Sequence, residues 1–122
     1  YYAFLDKNNI RPKTCATAIQ IGRPVNIKKG LRSLEYTNGI SVQVEDKEME
    51  DGIAVVGSNG FDCEHASASC VAAIKKLVEE EVIKRDEKVV AILTGRLKDP
   101  EAMIRYHMSG NRFSNPPKIV KI

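Results

Sequence analysis

The sequence predicts an α/β domain with helices packed on a mostly parallel sheet, and three stretches carry that expectation. From Ala68 onward, Val71, Ala72, Ile74, Leu77 and Val78 recur at helical spacing, with Lys75, Lys76, Glu79, Glu80 and Glu81 on the wet side. Val89-Val90-Ala91-Ile92-Leu93 is a continuous apolar run of the kind found in strands buried on both faces. Ile40-Ser41-Val42-Gln43-Val44 alternates apolar and polar residues, as a half-buried strand does. Alternating helices and strands define the class. Open sheets of this kind bind ligands at the carboxyl ends of their strands, and this places Thr94 of Thr94-Gly95 at a ligand.

The other elements follow in chain order. Tyr1-Tyr2-Ala3-Phe4-Leu5 has no Met and reads like the middle of a helix, so the chain is expected to be a fragment. That helix ends near residue 8, before Asn9-Ile10-Arg11-Pro12. Thr14 to Ile21 is apolar and partly β-branched, and only eight residues separate its breakers, so a strand or irregular buried segment is expected. Pro24 opens a helix with Val25, Leu31 and Leu34 on its buried side, and Asn38-Gly39 ends it. Asp46 caps a helix that runs past Gly52 to about Gly57, and Gly57-Ser58-Asn59-Gly60 reads as its terminus. Pro100 begins a last helix carrying Met103, Ile104 and Tyr106, and residues 109–122 are expected to be an irregular tail.

Composition excludes several classes. With 122 residues the chain is about one domain. Its net charge of +3 is small, and the basic residues are interspersed with acidic ones, unlike a nucleic-acid footprint. No apolar run approaches a membrane span and no signal-peptide pattern is visible. Three cysteines at irregular spacings suit reduced thiols in a cytoplasmic protein better than a disulfide framework.

Gly60 to Ala73 concentrates the chemistry: Glu64 lies just before the central helix, and Ser67 and Ser69 lie at its start. A serine oxygen can take an unpaired first-turn N–H, so Ser67 is expected to be the N-cap. Glu64 sits where the helix dipole favours negative charge. Cys63-x-His65 with Cys70 invites a zinc site, yet a structural zinc needs four converging ligands and these spacings supply no ordinary set. The cysteines are expected to be small buried hydrophobes. His107 is expected near a helix C-terminus, where the dipole favours a cation.

Three segments together resemble threonine synthase: Thr14-Cys-Ala-Thr-Ala-Ile-Gln-Ile-Gly-Arg-Pro-Val-Asn26, Cys63-Glu-His-Ala-Ser-Ala-Ser69 and Leu93-Thr-Gly-Arg-Leu-Lys-Asp-Pro100. They stand in the family's order at fitting spacings, over nearly the whole chain. The resemblance implies a fold-type-II enzyme that uses pyridoxal 5'-phosphate (PLP). Such a lyase converts O-phosphohomoserine and water to threonine and phosphate. It also implies that residues 1–122 form the C-terminal part of the large PLP-binding domain.

Carried over position by position, Thr94 matches the threonine whose hydroxyl meets the pyridine nitrogen. Ala18 and Ile19 match a segment close to the cofactor ring, and Glu64 matches a carboxylate near the cofactor. His65 stands where the family motif usually has proline, and Arg96 stands where it has a His-Gly pair. The lysine that carries the cofactor and the loop that holds its phosphate belong, in the family, upstream of the matched segments. This polypeptide is therefore not expected to be active alone. The resemblance further implies a homo-oligomer with a small-molecule substrate and no nucleic-acid or membrane partner. The other function considered is a stand-alone degenerate paralogue that binds a small ligand or another protein.

Overall fold

The computed structural model describes residues 2–98, whose regular elements are helices. In chain order they form α1 (Tyr2–Lys7), a 3-10 turn (Thr17–Ile19), α2 (Ile27–Thr37), α3 (Asp46–Ser58) and α4 (His65–Glu79). The chain divides into two compact units, one up to Gln43 and one from Val44 onward. The expected helix from Pro100, His107 and the tail at 109–122 lie outside the described residues. None of the described helices is long and apolar enough to cross a membrane.

The sheet is the main correction. No strand occurs among the described residues, so the expected α/β architecture with helices packed on a mostly parallel sheet is not formed there. A strand is defined by backbone partners along its edges, and among the described residues neither apolar stretch is paired as a strand. Val90 is 87% exposed and Ile92 71%, the reverse of a strand buried on both faces. Ile40 is likewise exposed, and Thr14 to Ile21 contains a short 3-10 turn in place of a strand.

In the first unit, local hydrogen bonds carry most of the order. The Arg23 guanidinium pairs with Asp6 and lies over the Tyr2 ring, 5.5 Å from its centroid. Ala16 is buried, and its N–H donates to the Thr14 hydroxyl at 3.1 Å. α2 starts three residues later than expected, with Pro24 accepting the N–H of Ile27 at 3.3 Å in the turn before it. It ends as its sequence predicts. Asn38 adopts the left-handed conformation at φ 49° and ψ 37°, and the Gly39 N–H donates back to the Leu34 carbonyl at 2.8 Å. No residue of α2 is buried, and Val25 and Leu31, expected inside, are exposed.

The second unit holds the core. α3 is capped by Glu45 and not by the expected Asp46, which is its first helical residue. The Glu45 N–H donates to the Glu48 carboxylate at 2.6 Å, which satisfies a backbone donor that the helix leaves free. That bond, more than the nearby Lys76, holds the Glu48 carboxyl below its ordinary value. Met49, Ile53, Ala54 and Val56 supply the buried face of α3, and Ala68 and Ala72 that of α4. Gly52 faces Ala68, and Glu48 pairs with Lys76 at 3.5 Å, so the two helices run antiparallel. The turn between them needs Gly60, whose φ of +81° strains any residue with a Cβ.

Small residues set the α3–α4 spacing. A Cβ at Gly52 would lie 2.9 Å from the Ala68 carbonyl oxygen and 3.3 Å from its Cβ, both rigid neighbours. Gly30 in α2 has nothing within 4 Å. The same substitution should therefore have opposite signs at the two sites. Gly52→Ala is expected to cost about 1–3 kcal/mol through overpacking. Gly30→Ala is expected to stabilise its helix by about 0.5–1 kcal/mol. Urea unfolding followed by far-UV circular dichroism measures both.

Candidate functional site

The start of α4 is built differently from the sequence expectation. The helix begins at His65, and Glu64 is the N-cap, with an extended ψ of 166°. Ser67 thus lies inside the first turn and does not cap the helix. Its side chain instead receives the loop after the apolar run. The Gly95 N–H donates to Ser67 Oγ at 3.0 Å, and the Gly95 carbonyl accepts the Glu64 N–H at 3.0 Å. Both polar groups of one peptide residue are therefore docked on the first turn of α4.

Ser67 Oγ also lies 3.2 Å from Thr94 Oγ1 and 3.2 Å from the Gly95 carbonyl oxygen. Ser67 is buried, with 1% exposure, whereas Thr94 is exposed. The pair thus ties an exposed residue to a buried one. The Glu64 carboxylate packs against Gly95 closely enough that a Cβ there would meet Oε1 at 2.5 Å. A side chain at 95 would have to displace the Glu64 carboxylate. Ser69, the other hydroxyl of the stretch, donates to the Ala66 carbonyl of its own helix at 2.7 Å and takes no part.

The remaining sequence-derived site residues lie in the first unit. Ala18 and Ile19 form the 3-10 turn with Thr17, and both are exposed, Ile19 by 53%. The turn is fixed by the Ile19 N–H donating to Ala16 and by the Gln20 side chain donating to the Pro12 carbonyl, at 3.0 and 2.7 Å. In the second unit, Glu64 and Thr94 are brought together through Gly95. The part of Ser67 in that contact escaped sequence reasoning, because a serine at a helix start is most simply a cap. Its signal was the long-range partner Thr94-Gly95, which spacing alone does not disclose.

His65 occupies the first helical position, where proline is best tolerated because the N–H there has no helical partner. The departure from the family motif therefore falls where a proline and another residue can support the same helix start. Arg96, the second departure, is exposed directly after the latch at Gly95.

All three cysteines are free thiols; Cys63 is fully buried, and Cys15 and Cys70 are half-buried. Burial first, then the charges of Asp62 and Glu64, push the Cys63 thiol up to about 11 from its ordinary 9.0. Such a thiol is a packing group at neutral pH and not a nucleophile. Among the described residues no group of three or more His, Cys, Asp or Glu is arranged to hold a metal ion.

No family model matches the chain. It is similar to curated threonine synthases. The match to the enzyme of Methanocaldococcus jannaschii is 46% identical over 77% of this chain and 24% of that protein. The match to that of Methanosarcina acetivorans is 44% identical over 76% of this chain and 24% of that protein. Threonine synthase 2, chloroplastic, of Arabidopsis thaliana is 35% identical over 88% of this chain and 22% of its own length. The chain thus spans about a quarter of the length of the curated relatives it matches.

The Cys63 thiol gives a pH prediction. Its folded pKa lies above the unfolded value, so folding favours the neutral form. The associated stability is complete below 9.0 and is lost as the pH rises through about 11. Unfolding midpoints of the unchanged chain should fall more steeply across that window than those of Cys63→Ala, and urea titrations at several pH values measure the difference.

Proposed function

We propose that this relative of threonine synthase supplies the pyridine-nitrogen side of a PLP site in a lyase that acts on O-phosphohomoserine. The observation that carries the reading is the latch at the start of α4. It fixes the neutral hydroxyl of Thr94, an exposed residue, at 3.2 Å from the Oγ of buried Ser67, within a segment that resembles the family's cofactor motif. Bound PLP would supply an electron sink for the carbanion chemistry of the substrate.

The residues present fit such a group. A ring nitrogen needs a fixed hydrogen-bonding partner, and Thr94, an exposed residue, has its Oγ1 hydrogen-bonded to Ser67 Oγ. A hydroxyl leaves the ring's protonation state open, whereas a carboxylate would enforce the protonated form. Glu64, the nearby acid, is turned onto Gly95. In this reading Glu64 secures the glycine that carries Thr94 into place. Ala18 and Ile19 of the first unit, a small side chain and an exposed apolar one, are proposed for the cofactor ring from the motif they resemble and from no placement relative to Thr94. The lysine that carries the cofactor and the loop for its phosphate are assigned to the rest of the enzyme, as is self-association into a homo-oligomer.

The test uses the protein as its cells make it, loaded with PLP and assayed for phosphate release and threonine formation from O-phosphohomoserine. Thr94→Val keeps the shape and removes the hydroxyl. Loss of one hydrogen bond to a strongly polar partner is expected to lower turnover by about 10- to 100-fold. Unchanged turnover in a folded, PLP-loaded Thr94→Val protein would contradict the assignment of Thr94.

A further inference from the structure

We infer that Ser67 is a positioning residue for Thr94, holding its hydroxyl in one rotamer and setting whether it donates or accepts a hydrogen bond. The inference rests on the reading of Thr94 as the partner of the cofactor's ring nitrogen and adds a residue whose place at a helix start suggested only capping.

Ser67 Oγ has one proton and two lone pairs. One lone pair takes the Gly95 N–H at 3.0 Å. The proton then has two acceptors at the same distance of 3.2 Å, the Gly95 carbonyl and Thr94 Oγ1. Given to Thr94, it leaves the Thr94 proton free to point outward, and the site presents a donor. Given to Gly95, it leaves the second Ser67 lone pair to receive the Thr94 proton, and the site presents only an acceptor. An unprotonated pyridine nitrogen needs the donor, and a protonated one needs the acceptor. Rotation of one buried hydroxyl therefore adapts the site to either state of the ring without moving a heavy atom.

Burial makes this arrangement definite. Ser67 is 1% exposed, so water does not compete for its hydroxyl, and its oxygen is fixed by the helix backbone on one side and the Gly95 amide on the other. Thr94 is exposed and extends from a run of exposed residues. Ser67 Oγ is the hydrogen-bonding partner that orients that hydroxyl; without it the latch would retain the bond from the Glu64 N–H to the Gly95 carbonyl.

The experiment has two arms, both on the protein as its cells make it. In the cofactor-free protein, side-chain NMR couplings of Thr94 report its χ1 rotamer. A single rotamer is expected with Ser67 present and rotamer averaging in Ser67→Ala, with Ser67→Cys restoring part of the preference through its weak donor. A Thr94 rotamer that does not respond to either variant would overturn the inference. In the PLP-loaded protein, Ser67→Ala is expected to lower kcat by about 3- to 30-fold with KM little changed. It should also alter the pH dependence of the cofactor's visible absorption band.

Added to Thr94→Val, Ser67→Ala should cost nothing further, because the two residues act through one hydroxyl. Independent, multiplying losses would overturn the positioning role while leaving Thr94's assignment intact. If Thr94→Val itself leaves the band and turnover unchanged, the cofactor reading fails and the inference with it. The rotamer arm would still show whether the two hydroxyls are coupled.

Discussion

The peptide of Gly95 is held at both of its polar groups by the first turn of α4, and the candidate site depends on that attachment. A helix start leaves backbone N–H groups without internal partners. Here the Glu64 N–H finds the Gly95 carbonyl at 3.0 Å, and the Gly95 N–H finds a side chain of the same turn at 3.0 Å. Each bond contributes only about 0.5–1.5 kcal/mol net, but leaving a buried donor unpaired costs about 1–3 kcal/mol. The exposed run at Val89 to Leu93 is thereby anchored at its end, and Thr94 inherits a defined position from its neighbour. The anchor is in turn steadied by α3. Gly52 lets the Ala68 backbone approach closely, so the turn that carries Ser67 sits on the buried face built by Met49, Ile53 and Val56.

Helices were the most legible part of the sequence because their signals are local. The apolar spacing from Val71 to Val78, the acidic start at Asp46 and the Asn38-Gly39 stop each act within a few residues, and α4, α3 and α2 follow them closely. The sheet was not legible in the same way. Val89 to Leu93 has the composition of a buried strand, but burial and pairing are supplied by other segments, and composition does not bring them. The assignments of Val25 and Leu31 to a buried face failed for the same reason. Amphipathic spacing names the face a helix would bury, while burial requires something on that face.

The candidate site was half legible. Thr94 was singled out by its place after an expected strand, which is not formed among the described residues, and with Glu64 by motif; the fold brings the two into one latch through Gly95. Ser67 was placed one turn wrong in function: the helix begins two residues before it, so its hydroxyl is free of capping and bonds across 27 residues to Thr94. The two departures from the family motif are structurally mild in this setting. His65 stands at the first helical position and Arg96 is exposed after the latch, so neither replaces a group that makes the Ser67–Gly95 contact. Cys63, beside them in sequence, is a packing thiol whose burial suppresses its charge.

Amide hydrogen exchange at Gly95 tests the latch most directly, since the whole placement of Thr94 rests on it. The Gly95 N–H donates to a buried oxygen, whereas the nearby Leu93 and Arg96 are exposed. The account predicts that the Gly95 amide exchanges at least about tenfold more slowly than those of Leu93 and Arg96, after correction for intrinsic rates. It also predicts that Ser67→Ala removes that protection. A Gly95 amide that exchanges as fast as its neighbours in the unchanged protein would contradict the docking, and the fixed Thr94 hydroxyl with it.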